Sequence, residues 1–254
     1  MLIACLMPTF GRPPSVLANA IACFMAQDHP HKVLLGLDDS GRVTGNVEIM
    51  ADLWSITQTQ ARVPSLPEKY DALARDVPGA DVFAVWDDDD VYLPHHLSSI
   101  AAAVERGAMW CHPERVFSTY TGAVATEGAR GRFHGSLAIS AEAYRLVRGW
   151  RGVVPPAMPQ VADFDQRMIS ALARICEPVD PSPGNPSYVF RWGDSGASHC
   201  QGRMKTQDDI TWYTQAIPQD TSDISRVVPA FDSSAERIFA QLGLPLPRNL
   251  DLQS

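Results

Sequence analysis

Two runs of aspartate follow apolar segments in this chain of 254 residues. Asp38 and Asp39 come directly after KVLLGL, and the four aspartates Asp87–Asp90 come directly after VFAVW. Carboxylates packed this closely repel one another, and a hard divalent cation that prefers oxygen ligands relieves the repulsion. Mg²⁺ sites in proteins typically combine one or two carboxylates with phosphate oxygens of a substrate. The longer run therefore indicates a Mg²⁺ or Mn²⁺ site for a phosphate-bearing ligand, and a solvated polar turn is the alternative for either run.

The segments before these aspartates have the pattern of a β-α-β unit. LIACLM at 2–7 and KVLLGL at 32–37 are short apolar runs typical of strands buried on both faces, and residues 15–27 have apolar side chains at helical spacing. Such a unit favours a parallel sheet with a right-handed crossover. Ligands of open α/β sheets bind beyond the carboxyl ends of the strands, and both aspartate runs lie at such ends.

The rest of the chain predicts further strands and helices of an α/β domain. Strands are predicted near SITQT and at DVFAVW, FHGSLAIS and SYVFRW, with mixed or antiparallel strands in RVFSTYTGAVAT. Helices are predicted at PEKYDALARDV, LPHHLSSIAAAVERG, SAEAYRLVRGW, VADFDQRMISALARI and SAERIFAQLG. We therefore expect one domain over 1–254, with a nucleotide-binding half (1–106), a second half built onto the same sheet (107–220) and a tail with a short helix (221–254).

Composition limits the partners and the compartment. The chain carries 21 basic and 29 acidic residues, a net charge of −8, which disfavours a nucleic-acid partner without excluding one. Its five cysteines are widely spaced with no CxxC pair, which favours free thiols and a reducing cytoplasm. The first residues lack a signal-peptide pattern, and no stretch approaches the roughly 20 apolar residues of a membrane helix. We expect a cytoplasmic protein without an integral membrane segment, and we leave open peripheral membrane contact and a homodimer.

Four blocks in the first hundred residues together resemble the family 2 glycosyltransferases of the GT-A fold. They are the loop Pro8–Arg12, Gln27 near the end of the following helix, Asp38-Asp39-Ser40, and a D-x-D block at Asp87–Asp90 that is followed by Pro94 and Leu97. Each block alone is weakly specific, whereas four in this order and spacing are strongly specific. The resemblance implies a Rossmann-like GT-A fold, in which a mostly parallel central sheet flanked by helices joins a smaller mixed or antiparallel half that binds the acceptor.

The resemblance also implies which residues bind a nucleotide-diphosphate sugar, with a UDP-sugar as the expected donor. Asp39 is similar to the carboxylate that accepts a hydrogen bond from the uracil ring, and Asp88 would lie beside the ribose. Asp89 would be the main ligand of Mn²⁺ or Mg²⁺. The expected metal ligands are Asp89, Asp90 and His199, although a lone histidine such as His199 is more often structural or exposed. The expected nucleotide-sugar contacts are Pro8, Thr9, Arg12, Asp39, Lys69, Tyr70, Asp87 and Asp88.

The second half contains the residues expected at the acceptor. Inverting transfer needs a general base for the acceptor hydroxyl, and VADFDQRM resembles the family's ED-x-D block with Ala162 in place of the glutamate. The resemblance implies that Asp163 is the base and Asp165 the second candidate, while an N-cap is the alternative for Asp163. By analogy with the family, His134, Gly135 and Ser136 are expected to line the acceptor pocket, with an ordinary sheet strand as the alternative.

The expected function is therefore metal-dependent, inverting transfer of a hexose-type sugar to an unknown hydroxyl on a glycan, a lipid-linked sugar, a protein or a modified nucleic acid. A Mg²⁺-dependent nucleotidyltransferase usually has a basic, glycine-rich loop near the first strand, whereas PTFGRPPS has one glycine and one arginine. A glycoside hydrolase does not account for the nucleotide-type β-α-β start. A non-enzymatic calcium module of the EF-hand type alternates its acidic ligands, whereas Asp87–Asp90 is contiguous.

Overall fold

The computed structural model of the chain describes residues 1–41, 43–129, 131–154, 163–192 and 227–247. The strands in these ranges are β1 (Ile3–Thr9), β2 (Lys32–Asp38), β3 (Asn46–Met50), β4 (Trp54–Thr59), β5 (Val82–Val85), β6 (Val91–Tyr92), β7 (Trp110–Cys111), β8 (Arg115–Ser118), β9 (Ala125–Gly128), β10 (Ala138–Ser140) and β11 (Tyr188–Phe190). The helices are α1 (Pro14–Met25), α2 (Leu66–Arg75), α3 (His96–Glu105), α4 (Ala141–Val147), α5 (Gly149–Gly152), α6 (Phe164–Ala173) and α7 (Ser233–Gln241).

The larger sheet has seven strands in the order β3-β4-β2-β1-β5-β10-β7. Its four central strands, β4, β2, β1 and β5, are parallel, while β3 at one edge and β10 and β7 at the other pair antiparallel. Alternate residues of β1 explain why helices cover both faces. Ile3, Cys5 and Met7 pack in a core that includes α1, α3 and α7, whereas Ala4 and Leu6 pack in a core that includes α2, α4 and α6. The sequence predicts this architecture because both residue sets are apolar.

A smaller sheet of four strands, in the order β6-β11-β8-β9, lies beside the larger one. β11 runs antiparallel to β6 and parallel to β8, and β8 forms an antiparallel pair with β9, as the alternating pattern of RVFSTYTGAVAT predicts. The acidic turn, which we define as Asp87–Asp90, is the direct connection from β5 in the larger sheet to β6 in the smaller one. The four aspartates therefore lie at the junction of the two sheets.

Three local differences from the sequence expectations have physical causes. The edge strand β3 was not expected, because its side chains are mostly exposed and give no apolar alternation. In FHGSLAIS only the end is a strand, since His134–Ser136 forms a short 3₁₀ turn after Phe133, whose φ of 59° is left-handed. Asp163 stands at the N-cap position of α6, but its side chain makes no capping hydrogen bond, and Val161 and Ala162 of the expected helix lie outside the described residues.

The C-terminal segment packs against the start of the chain. The N–H of Ala230 donates to the carbonyl of Ala18 in α1 at 3.1 Å, and Ile238 and Phe239 of α7 are buried in the same core as α1. The predicted boundaries at 106/107 and 220/221 stay predictions, and the second of them falls in 193–226, outside the described ranges. Within the ranges described, no helix combines the length and apolarity needed to cross a membrane.

Candidate functional site

The candidate site lies at the carboxyl ends of β1, β2 and β5. Thr9 and Asp38 are register partners at the ends of β1 and β2, and the N–H of Trp86, directly after β5, donates to the carbonyl of Leu6 in β1 at 3.0 Å. The loops that follow these strands therefore meet at one edge of the sheet. This is the edge at which open α/β sheets bind ligands.

Arg12 forms ion pairs with two aspartates of the acidic turn. Its Nε lies 3.0 Å from both carboxylate oxygens of Asp88, and its Nη2 lies 3.1 Å from Oδ2 of Asp89. All three side chains are nearly inaccessible, with residue exposures of 7%, 5% and 2% for Arg12, Asp88 and Asp89. Charge-assisted hydrogen bonds to a planar guanidinium fix the direction of both carboxylates. Arg12 neutralises only one of the two carboxylates, so the three groups together keep a net negative charge.

Asp38 and Asp39 have different surroundings although they are adjacent. Asp38 accepts from the N–H groups of Gly11 and Ser40, both at 3.0 Å, so that it holds the loops after β1 and β2 together. Asp39 instead forms an ion pair with Lys69 at 2.5 Å and accepts from the N–H of Val63 at 2.9 Å. The two predicted nucleotide contacts Asp39 and Lys69 are therefore in contact with each other.

Lys69 connects this pair to the first strand. Its ammonium group donates to the carbonyl of Thr9 at 2.6 Å as well as to Asp39. Burial lowers the pKa of Lys69, and the charge of Asp39 opposes that effect. The hydroxyl of Thr9 is itself buried and has no hydrogen-bond partner in the part of the chain that the structure describes. A buried hydroxyl in that position fits a binding site in which a ligand or a water molecule supplies the missing hydrogen bond.

Arg62 is a site residue that no pattern in the sequence indicates. Its guanidinium carbon lies 3.8 Å from the centre of the Phe10 ring, and its Nη1 lies 3.2 Å from Oδ1 of Asp39. Phe10 belongs to the loop after β1, beside Thr9. The pairing joins a loop residue to a position 52 residues later, and no local pattern of residue types encodes such a contact.

The carboxylate of Asp90 contacts β11 and the residue that follows it, at the junction of the two sheets. One carboxylate oxygen accepts from the hydroxyl of Tyr188 and the other accepts from the N–H of Arg191 at 2.8 Å. Burial, followed by the charge of Asp89, raises the pKa of Asp90 to about 7. Its geometry is that of an anchor between the acidic turn and β11.

Asp87 packs against the 3₁₀ turn of the second half. Its N–H donates to the hydroxyl of Tyr92 at 2.7 Å, and this hydroxyl donates to the carbonyl of Gly135 at 3.0 Å. Ser136 is buried and donates from its hydroxyl to the carbonyl of Phe133 at 2.7 Å, which stabilises the same turn. The predicted acceptor residues Gly135 and Ser136 thus border the acidic turn.

An aromatic cluster continues from this turn to α6. Tyr70 stacks on Trp150 with ring centres 4.8 Å apart, and it lies 5.5 Å from His134 and 6.2 Å from Phe164. His134 accepts a hydrogen bond from the indole N–H of Trp150 at 3.4 Å, and burial lowers its pKa to about 3, so that its ring is neutral. Burial and nearby carboxylates, among them Asp87 and Asp165, raise the pKa of Tyr70. The cluster therefore lies between the acidic turn and the start of α6.

The two candidate bases differ in their environments. Asp163 is exposed, with 55% of its side chain accessible, and forms an ion pair with Arg167 at 2.9 Å. The hydrogen bond from Arg167 lowers the pKa of Asp163. Asp165 is half-buried, and burial raises its pKa. A general base works best when its pKa is raised toward the working pH, so Asp165 has the better environment.

A metal ion would find only part of its ligands in these residues. Among the residues that the structure describes, no three side chains of His, Cys, Asp or Glu are arranged to hold one. Both oxygens of Asp90 are hydrogen-bonded, and His199 lies outside the described residues. Asp89 has a carboxylate oxygen at the site that could bind a cation. Mg²⁺ commonly binds through one or two carboxylates and the phosphates of a ligand. The donor set fits a cation that arrives with a diphosphate and does not fit a closed protein cage.

Comparison with known proteins bears on the fold. No protein-family model matches the chain, and no curated protein matches it. Solved structures of S. aureus TarS do. TarS 1-349 is similar with a TM-score of 0.56 at 10% identity, over 75% of this chain and 60% of that one. The same fragment in complex with UDP-GlcNAc has a TM-score of 0.58 at 10% identity, over 84% and 64%. A longer TarS structure has a TM-score of 0.54 at 11% identity, over 75% and 37%.

The predicted fold class is confirmed. A mostly parallel seven-stranded sheet flanked by helices is shared with these structures, and at this level of identity the similarity shows the fold alone. The chain spans at most 64% of the length of the TarS chains that it matches.

Proposed function

We propose that this protein is a glycosyltransferase that takes a sugar from a nucleotide-diphosphate sugar, with UDP-sugars as the first donors to test. The observation that carries the proposal is the joint arrangement of Arg12, Asp88 and Asp89 beside the Asp39–Lys69 pair at one edge of the sheet. The arginine and lysine side chains carry positive charge, and the aspartates can accept hydrogen bonds. This combination suits a ligand that has hydrogen-bond donors at one end and a diphosphate at the other. A protein of the same fold has been crystallised with UDP-GlcNAc, a ligand of this class.

Asp39 and its neighbours are proposed to bind the nucleoside. Asp39 accepts from a ring N–H of the base, as the resemblance implies, and Arg62, which packs on the Phe10 ring, borders the same carboxylate. Asp88 binds the ribose, and the hydroxyl of Thr9 gains a partner when the ligand is present. Pro8 precedes Thr9 in β1, and Lys69 of α2 donates to the carbonyl of Thr9. Tyr70 adjoins the site through the aromatic cluster.

Mn²⁺ or Mg²⁺, when bound at Asp89 together with the diphosphate, supplies a Lewis acid that neutralises the charge of the leaving group. Asp89 is the proposed ligand. Asp90 is proposed as the anchor of the turn, because its two carboxylate oxygens already bind Tyr188 and Arg191. Whether His199 adds a ligand stays a prediction.

Asp165 is proposed as the general base, with Asp163 as the weaker candidate. In the step, the carboxylate of Asp165 takes the proton of an acceptor hydroxyl while the oxygen attacks the anomeric carbon. The bond from that carbon to the diphosphate oxygen breaks, and its electron pair leaves with the nucleoside diphosphate. Attack from the opposite face inverts the configuration. Arg12 holds Asp88 and Asp89 so that the donor is fixed before attack.

The acceptor is proposed to enter between the 3₁₀ turn and α6. His134, Gly135 and Ser136 are proposed as one wall, and Asp165 at the start of α6 is close enough to Tyr70 for its charge to raise the pKa of that tyrosine. A neutral imidazole suits a sugar hydroxyl better than a charged group, so a glycan or lipid-linked sugar is the first acceptor class to test.

The test is a thermal-shift screen of nucleoside diphosphates, their sugars and nucleoside triphosphates, each with and without Mn²⁺. We expect a stabilisation by one diphosphate nucleotide that grows with Mn²⁺, because ligands that bind only the folded state raise its unfolding midpoint. The variant D89N should lose the Mn²⁺ dependence, and D76N, a change at an exposed aspartate, should keep it. A shift with triphosphates alone would favour a nucleotidyltransferase, and no shift with any nucleotide would overturn the proposal.

A further inference from the structure

Arg191, the residue directly after β11, is buried completely although it carries a full charge. Its Nε donates to the backbone carbonyl of Asp89, and its Nη1 donates to Oδ2 of Asp232 at 2.7 Å. Its own N–H donates to Oδ1 of Asp90 at 2.8 Å. A buried charge is tolerated only when it is paired and hydrogen-bonded. The hydrogen bonds of Arg191 go to two residues of the acidic turn and to one carboxylate that is distant in sequence.

Asp232 has two separate tasks, one for each carboxylate oxygen. Oδ1 accepts from the N–H of Ala235 at 2.7 Å and so caps the first turn of α7. Oδ2 accepts from Arg191. The N–H of Asp232 also donates to Oδ1 of Asn19 in α1 at 3.3 Å, which fixes the start of α7 on the body of the protein.

We propose that Asp232 is a positioning residue for the donor site, acting through Arg191 on the backbone of the acidic turn. The inference rests on the proposed function for the identity of the ligand. Without the Asp232 carboxylate, the charges of Asp89 and Asp90 still act on the guanidinium. Attraction to their carboxylates pulls it away from the Asp89 carbonyl, and the direction of the Asp89 side chain changes with the backbone. The C-terminal helix thereby becomes part of the machinery that holds the diphosphate.

The competing explanation is that Asp232 only caps α7, and the choice of substitution separates the two. Asparagine and serine are good N-cap residues, so D232N and D232S keep an oxygen for the N–H of Ala235 and remove the charge that faces Arg191. D232A removes both. S140A removes the cap of α4 and serves as a matched control, because Ser140 accepts from the N–H of Ala143 and lies at the end of β10, outside the acidic turn.

Hydrogen exchange in the full chain tests the positioning role without any ligand. Under the proposal, D232N and D232S raise exchange about tenfold at the amides of Asp87 and Arg191, whose hydrogen bonds fix the turn, and leave the amides of α7 unchanged. S140A changes neither region. The proposal would be overturned if the amides of the turn exchanged in both D232N and D232S at the same rate as in the parent protein. It would also be overturned if D232N raised exchange in α7 as much as D232A does and the two variants had equal effects on the turn.

Titration calorimetry with UDP and Mn²⁺ provides the second measurement. D232N is expected to weaken binding about tenfold, and R191Q/D232N to bind no more weakly than R191Q, because both substitutions break the same connection. Additive losses in the double variant would overturn the proposal. If the parent protein binds no nucleotide, the proposed function fails, and the exchange experiment still decides the role of Asp232.

Discussion

Because Gly135 has no side chain, the carboxylate of Asp87 can occupy the space beside its Cα. A Cβ added to this glycine would stand 2.3 Å from Oδ2 of Asp87 and 2.7 Å from the hydroxyl of Tyr188. Tyr92 joins the same two segments, because its hydroxyl accepts from the N–H of Asp87 and donates to the carbonyl of Gly135. The 3₁₀ turn of the second half is therefore fixed directly against the acidic turn.

The variant G135A should disturb the site through this contact. Overpacking a filled space typically costs about 1–3 kcal/mol, and here the displaced group is Asp87, so both stability and UDP affinity should fall. Thermal unfolding and calorimetry measure the two effects. The matched control is G128A, because a Cβ at Gly128 meets no atom within 4 Å. Unfolding midpoints that agree between G135A and G128A would contradict the prediction.

Removal of Arg12 should strengthen the binding of Mn²⁺ in the absence of nucleotide. The guanidinium contacts the same Oδ2 of Asp89 that a cation would use, and hydrogen bonds of this charged type contribute about 1.5–3 kcal/mol. R12Q should therefore bind Mn²⁺ about tenfold or more tightly, as measured from the paramagnetic resonance signal of free Mn²⁺. R62Q changes an arginine on the Asp39 side and should leave Mn²⁺ affinity unchanged. Equal affinity in R12Q and the parent protein would argue against a metal at Asp89.

Substitution of the two candidate bases, Asp165 and Asp163, should have different effects on kcat. D165N should lower kcat by about 10²–10⁴ while donor affinity is kept, whereas D163N should stay within a few-fold of the parent protein. The acid limb of the pH profile gives an independent reading. A carboxylate acts as a base only when ionised, and burial raises the pKa of Asp165, so kcat should fall at a pH above the ordinary aspartate value of about 3.9. A limb below that value would instead match Asp163, whose pKa Arg167 lowers.

His96 should make the fold less stable at mildly acidic pH. The ring is buried with Nδ1 at 2.9 Å from the hydroxyl of Ser187, and burial lowers its pKa to about 3. The unfolded chain takes up a proton below about pH 6.5 and the folded chain does not, so stability is lost as pH falls through 6.5 toward 3. H96N removes this titration. Relative to the parent protein, its free energy of unfolding should improve by about 1 kcal/mol between pH 7 and pH 5.5 in urea denaturation. A constant difference over that range would show that protonation of His96 is not linked to unfolding.

Local residue patterns are enough to predict the strands and the sheet edge that carry the site. Apolar runs at 2–7, 32–37 and 82–86 specify buried strands, and the β-α-β order specifies parallel pairing, so Asp38, Asp39 and the acidic turn were expected at one edge of the sheet. This holds because strand formation and chain reversal depend on residues close together in sequence. The helices of the second half and the hairpin of β8 and β9 followed from the same local patterns.

The role of each aspartate depends on contacts that form only when the chain is folded. Asp88, Asp89 and Asp90 are identical in type and adjacent in sequence, and their differences come from partners such as Arg12, 76 residues from Asp88, and Arg191, 102 residues from Asp89. The contrast between Asp163 and Asp165 has the same origin, because one faces solvent and Arg167 while the other is half-buried. Burial and long-range contacts set the charge and direction of each carboxylate, and neither is written in the spacing of residue types along the chain.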